Sequence, residues 1–219
     1  LNTGIFVLVG VPVTMVLALL LALALDSGIS RFRTAFRVGY YAPVVTSIVA
    51  IAIVWRVMLQ PDGLLNGFLG LLGIEGPNWL EDTAWALPSL IAMAVWRNIG
   101  TLMVIFLAGL QGVPKEHHEA AMVDGAGTIQ RFFNITLPAL RPPLLFAAVI
   151  TGIGFLQFFE EPFVMTQGGP LDSTLSTAMY TYQQFGFGNY AYASAASYVL
   201  FLAIVVLSLI QFRLLGRMD

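Results

Sequence analysis

Cysteine is absent from all 219 residues, which excludes disulfides, thiolate catalysis and cysteine-ligated metals. Charge is almost as scarce. Lys, Arg, Asp and Glu together make up 10 % of the chain, against about 25 % in soluble domains. There is no basic tract, so nucleic acid is not expected as a partner. No Gly-x-x-x-x-Gly-Lys-Ser/Thr element occurs, so no nucleotide site is expected on this chain; Gly125-Ala126-Gly127 reads as a turn. The two histidines, His117 and His118, are adjacent. That is poor spacing for two ligands on one helix face, and His117-His118-Glu119 is not the HExxH arrangement. Neither a metal nor a cofactor is expected. A GxSxG serine motif and paired aspartates within the apolar runs are also missing, which argues against an intramembrane enzyme.

What the chain has is apolar material. Hydrophobic residues account for 58 %, above the roughly 45–50 % of soluble domains. A bilayer explains the excess, because each spanning helix takes about 20 mostly apolar residues. Five long runs stand out at roughly 4–25, 38–59, 86–110, 143–165 and 191–212. They predict an all-α, polytopic transmembrane bundle forming a single domain over 1–219. The first run has neither a basic leader nor a small-residue cleavage site, so it reads as a span and not as a signal peptide.

The placement of charge orders the loops. Arg31, Arg33 and Arg37 fall in the first, Lys115, Arg131 and Arg141 in the third, and Arg213 and Arg217 in the tail. The second and fourth loops, 60–85 and 166–190, contain no Lys or Arg. By the positive-inside rule the first and third loops and the tail are cytoplasmic. Leu1 then begins on the outer side, and an earlier span is expected before it. The acidic loop 60–85 carries LLNGFLGLLGIEGPNWL, whose near-helical apolar spacing predicts a short amphipathic helix on the membrane surface.

Residues 111–142, QGVPKEHHEAAMVDGAGTIQRFFNITLPALRP, are long for a helix connection, which usually runs about 2–8 residues. Pro114 suits a first helical turn, and Glu116 and Glu119 favour the helix dipole. Asp124-Gly125 should end that helix with a left-handed glycine. Thr128 can cap a second short helix, IQRFFN, before Leu137-Pro138 leads into the next span. A helix–turn–helix results, and its apolar residues Ala120, Ala121, Met122, Ile129, Phe132 and Phe133 need something to cover them.

Glu119-Ala120-Ala121, then Gly125, then Ile135, then Leu137-Pro138 resembles the "EAA" signature of importer-type ABC permeases at every marked position. The wider wording EAAMVDGAG…FFNITLP is similar to the carbohydrate, maltose-transporter-type branch. So are Met165-Thr166-Gln167-Gly168-Gly169-Pro170 and FGFGNYAYASAASYVLFL. The resemblance covers essentially the whole chain and implies the type I ABC importer permease fold in a bacterial inner membrane. It implies a coupling helix, with Glu119, Ala120, Ala121, Asp124, Gly125, Ile135, Leu137 and Pro138, seated on a cytoplasmic ATPase. Two such ATPases would carry ATP and Mg. A second, usually different, permease chain would complete the pathway, and an extracytoplasmic binding protein would deliver the sugar.

The resemblance also places sugar-contacting positions at Ala94, Asn98 and Thr101 before the loop and at Thr151, Phe155 and Phe158 after it. The phenylalanines suggest stacking on a sugar face, and they put maltose itself in doubt. Each of these residues has helix packing as its alternative role. Trp96 lies beside them on a different side of the helix. Arg97 sits mid-span, where it should face a cavity or a partner. Gln157, Glu160 and Glu161 form either a hydroxyl- or amine-binding rim or, through the acids, an ion pair with Arg97. Counted along unbroken helices, Arg97 and Glu160 differ in depth by about 9 Å. Arg56, four residues from Gln60, is explained by ordinary snorkelling. The competing readings are an ion-gradient transporter, which predicts inverted repeats and discontinuous spans, and a non-transporting scaffold. The cargo could be a di- or oligosaccharide, an amino sugar or a glycerol-phosphate-type solute.

Overall fold

The computed structural model describes residues 1–26 and 33–215. Arg31 and Arg217, two of the cations used above for topology, lie outside the described residues. All regular structure among the described residues is helical: α1 Asn2–Asp26, α2 Arg33–Val45, α3 Ile48–Met58, α4 Leu64–Leu71, α5 Thr83–Gln111, α6 Lys115–Val123, α7 Thr128–Arg131, a π-helical turn Phe132–Thr136, α8 Leu137–Ala139, α9 Arg141–Leu156, α10 Glu160–Met165, α11 Thr177–Gly186 and α12 Tyr190–Leu215. Among the described residues four segments are long and apolar enough to cross a bilayer, Asn2–Asp26, Thr83–Gln111, Arg141–Met165 and Tyr190–Leu214, and a fifth is added if the bent pair Thr34–Val45 and Ile48–Met58 is one span.

The central helix is α5, which packs most extensively on α1. One apolar cluster joins Phe6 and Val11 to Leu90, Ile91 and Ala94 and to Phe155. A second joins Ala18, Ala22 and Leu25 to Met103, Phe106 and Leu110, with Leu140 and Ala147. Early residues of α1 meet early residues of α5, and late meet late, so the two helices run parallel and α9 runs against them. In lipid this association rests on close van der Waals packing, which small residues permit.

Side-chain bonds fix the two ends of the bundle. At one end the Asn2 amide donates to the carbonyls of Asp172 (2.7 Å) and Leu175 (3.1 Å), and Thr3 bonds Thr177 across 3.1 Å. At the other end Gln211 of α12 donates to the Ala148 carbonyl of α9 at 2.9 Å. The third loop and the chain's last helix therefore close the same end, and the second and fourth loops lie at the opposite one.

The run at 38–59 is not a straight span. It is the pair α2 and α3, bent by 99°. Pro43 cannot donate in the last turn of α2, and the Thr46 hydroxyl takes the Ala42 carbonyl at 2.9 Å, so the helix stops. At 13 and 11 residues, the halves reach only about 20 and 16 Å, less than the roughly 30 Å hydrocarbon core. Gly100 lets α2 cross α5 closely, because a Cβ there would lie 2.1 Å from the Tyr40 carbonyl oxygen.

The span 143–165 is also interrupted, at residues 157–159. In a continuous helix Pro162 would leave the Phe158 carbonyl without a donor and clash with it. The chain instead ends α9 at Leu156 and restarts, with Pro162 in the first turn of α10 and Phe163 donating to the Phe159 carbonyl at 3.0 Å. Discontinuous helices are thus present where the sequence shows uninterrupted apolar runs.

The amphipathic helix expected in the second loop is α4. Asn66 organises its surroundings. Its amide donates to the carbonyls of Pro61 (3.1 Å) and Pro77 (3.3 Å), and its Oδ1 accepts from the Trp79 indole at 2.7 Å.

Candidate functional site

The third loop folds as two short helical segments around a glycine turn. Pro114 takes the N-cap position of α6. At the other end Gly125 adopts φ +79°. Its N–H bonds the Met122 carbonyl at 3.1 Å, and the Ala126 N–H bonds the Ala121 carbonyl at 2.8 Å. This double closure is a Schellman motif, and it satisfies carbonyls the helix end would otherwise leave open. Thr128 is not the cap of the next helix. Gly127 holds that position, its N–H bonding Gln130 Oε1 at 3.0 Å, and Thr128 accepts instead from Arg131 Nη2 at 3.4 Å. The glycine wins because its extended backbone frees an N–H that the Gln130 amide can reach, as in a capping box.

The π turn explains how the chain passes Pro138. The Leu137 N–H bonds the Phe132 carbonyl, five residues back. A regular helix would drive the Pro138 ring into the Asn134 carbonyl; the wider turn relieves that contact. Ile135, Leu137 and Pro138 are consequently half-buried against the bundle, while Glu119, Ala120, Asp124 and Gly125 are exposed and Ala121 is half-buried.

The apolar side of this loop is open. Val123 is 88 % exposed, Ile129 74 % and Phe133 58 %. Among the described residues no other helix packs extensively on α6. An ordered helix that offers Met122, Val123, Ile129 and Phe133 outward has the form of a docking element.

The second set of candidate residues lies between the spans. Trp96 is half-exposed on an outer face of α5, its ring 5.7 Å from that of Trp55. It is turned away from Asn98, whose amide donates to the Ala94 carbonyl of its own helix at 2.8 Å. Thr101 is half-buried and Thr151 buried. Phe155 and Phe158 do not offer free faces for stacking. Phe158 is 3 % exposed and stacks on Phe6 with centroids 3.9 Å apart, and Phe155 tilts against the same ring at 5.2 Å. The sequence contains no local signal for this, since Phe6 is about 150 residues away along the chain and the helix pairing alone brings it there.

Gln157 is exposed and Glu160 half-buried at the break between α9 and α10. Glu161 is 6 % exposed, and one of its carboxylate oxygens has no partner. Arg97 Nε is likewise buried and unpartnered. Glu160 and Arg97 are the charged neighbours of Glu161, yet among the described residues no ion pair joins Arg97 to either acid. The fourth span is broken at 157–159, and Glu161, not Glu160, is the buried acid beside Arg97.

Sequence reasoning passed over three further features. Thr174 is fully buried and locks the fourth loop, donating to the Gly169 carbonyl at 2.8 Å and bonding Thr166 at 2.7 Å. Asn66 organises the second loop, as described above. Gln211 is a polar residue inside the last apolar run, a signal the sequence does carry.

Comparison with known proteins agrees with this architecture. A family described as "Binding-protein-dependent transport system inner membrane component" matches residues 2–219. The lactose transport system permease protein LacF of Rhizobium radiobacter is 39 % identical over 217 residues, covering 96 % of this chain and 73 % of that protein. The arabinooligosaccharides transport system permease protein AraP of Bacillus subtilis is 37 % identical over 202 residues, covering 90 % and 64 %. A bacterial alginate ABC transporter, solved in complex with an alginate pentasaccharide-bound periplasmic protein, superposes with a TM-score of 0.83 at 26 % identity, over 97 % of this chain and 74 % of that one. With its helical bundle, its open loop helix and a match along nearly its full length, this chain belongs to the family of inner-membrane permease components of binding-protein-dependent ABC transport systems.

Proposed function

We propose that the chain is one of two permease subunits of an ATP-driven importer that takes up a saccharide, and that α6 is where the importer's ATPase pushes on it. The observation that carries this reading is the loop itself. Its ends are fixed by local hydrogen bonds, its apolar side is open, and among the described residues no other helix packs extensively on it. A cytoplasmic ATPase supplies the missing cover, and the concentration of basic residues in the first and third loops supports a cytoplasmic α6. Glu119, exposed on α6, is free to accept a charge-assisted hydrogen bond from a basic group of the ATPase. ATP and Mg belong to that partner. The second permease chain, most simply a different one, forms the other wall of the pathway, and a periplasmic binding protein delivers the cargo from the opposite end. The kinship with permeases for lactose and arabinooligosaccharides, and with an alginate importer, supports a saccharide.

Inside the spans, Arg97, Asn98 and Thr101 on α5, Thr151 on α9, and Gln157, Glu160 and Glu161 at the helix break provide the polar groups for hydroxyls to meet. Trp96, on the outer face, is available to the second permease or to cargo at the subunit boundary. The test is reconstitution of the whole transporter with Glu119→Arg. The expected result is loss of the ATPase from the purified complex and loss of sugar uptake, with the permease still inserted. Full retention of the ATPase and of uptake would remove the coupling assignment.

A further inference from the structure

A cleft of about 250 Å³ opens at the end of the bundle opposite α6. Four separate segments build it: the end of α3, the turn after it, the stretch leading into α5, and the start of the fourth loop. Its polar groups come from Arg56, Gln60, Asn78, Glu81 and Gln167, and Trp79 forms part of its wall. Leu59 and Met165, both buried, complete the lining.

The cleft is held in shape before anything binds. The Arg56 guanidinium is anchored by one bond, Nη1 to the Val164 carbonyl at 3.3 Å, which leaves its other N–H groups uncommitted. The Trp79 indole is pinned by Asn66 at 2.7 Å and sits edge-on to Trp85 at 5.1 Å. The Trp79 carbonyl accepts from Ser89 at 3.2 Å. Gln167 Nε2 donates to the Phe163 carbonyl, leaving the amide oxygen available. Arg56, at the outer end of α3 where snorkelling carries its head group, also lines the cleft.

We infer that this cleft is an outer subsite for one ring of a neutral saccharide. The chemistry selects that ligand. A guanidinium, primary amides and a carboxylate present donors and acceptors in pairs, the arrangement that vicinal hydroxyls need. An indole and buried apolar side chains suit the C–H face of a sugar ring. Arg56 and Glu81 put one charge of each sign into the lining, so it favours neither an anion nor a cation. The volume falls below the roughly 300–1,000 Å³ of pockets that enclose a drug-sized ligand, which fits one ring of a longer chain. The inference rests on the saccharide-importer reading and adds to it a site outside the spans.

The lack of cysteine makes a direct test available. Asn78→Cys places a single thiol in the cleft, and Leu171→Cys, at a 93 % exposed position outside it, serves as control. The complete transporter is reconstituted in nanodiscs without the binding protein. Maleimide labelling is then followed with lactose, maltotriose and arabinotriose, and uptake of the same sugars is measured with the binding protein present. At a sugar concentration about four times its Kd, labelling of Asn78→Cys should slow about fivefold by mass action, with Leu171→Cys unchanged. Adding Gln60→Ala should weaken that protection, read as the ratio of labelling rates with and without sugar for the same variant. Uptake without protection would remove the cleft site and keep the transport reading. Protection without uptake would keep the site and remove the transport reading. Blockage of the thiol by sugar-free binding protein, with no effect of any sugar, would make the cleft a protein-docking surface and overturn the inference.

Discussion

Gly125 offers the sharpest test of how the coupling loop is built. It sits at φ +79°, in the left-handed region, and a Cβ added there would meet nothing within 4 Å. Any effect of Gly125→Ala within the chain is therefore conformational and not steric. An L-residue in that conformation costs about 1–2 kcal/mol, and the entropic gain that alanine brings at a compatible position does not apply to this backbone. At about 1 kcal/mol, the lower end, the ratio of closed to open turn falls roughly fivefold. The bond that reports it is the Ala126 N–H to the Ala121 carbonyl. Its amide hydrogen should exchange about fivefold faster in Gly125→Ala, since local opening sets exchange for such groups. Gly125→Asn should exchange more slowly than Gly125→Ala, because asparagine tolerates the left-handed region better. Because α6 packs little on the bundle, the thermal midpoint should stay within error while sugar-stimulated ATPase activity of the complex falls. An unchanged exchange rate at Ala126 in Gly125→Ala would refute the reasoning, as would Gly125→Asn behaving worse than Gly125→Ala.

Phe6→Ala should lower the stability of the bundle by about 3–5 kcal/mol, the range for emptying a buried aromatic site, because Phe6 is fully buried against Phe155 and Phe158; a detergent-resistance melt would read it, and a negligible shift would mean the ring pair closes over the gap. Asn66→Ala removes three hydrogen bonds from the second loop and should raise proteolysis of residues 60–80 severalfold while leaving the spans intact, read by limited digestion of nanodiscs. Arg97→Gln and Glu161→Gln should each reduce uptake, and the double variant should lose less than the sum of the two in free energy if the charges act on each other; strictly additive losses would separate their roles.

The parts legible in the sequence were those fixed by neighbours along the chain. Pro114, Asp124 and Gly125 start and stop α6 through contacts within a few residues, so the helix and its left-handed end were readable. The same holds for α4 and for the apolar runs. Thr128 illustrates the limit even at short range: the expected cap lost to Gly127 because the Gln130 amide, three residues on, had a better-placed N–H to accept from. Features that depend on distant partners were not readable. Nothing near Phe155 or Phe158 announces Phe6, and nothing near Trp79 announces Asn66.

The interrupted fourth span lies between these cases, and it changes what the buried charges can do. Its cause, Pro162, is local, but its result is a change in depth that counting 1.5 Å per residue cannot follow. With the helix broken at 157–159, Glu161 becomes a buried acid with an unsatisfied oxygen near a buried, unsatisfied Arg97 Nε. Polar atoms so placed are costly to leave unsatisfied in a membrane interior. The break therefore lies beside buried polar atoms of the spans that are left unsatisfied. Pinning it is the corresponding experiment. Replacing Pro162 with Ala, which restores the missing N–H, should favour a continuous helix, lower the uptake rate and leave the ATPase bound. Unchanged uptake together with a demonstrably continuous helix would show that the break has no part in transport.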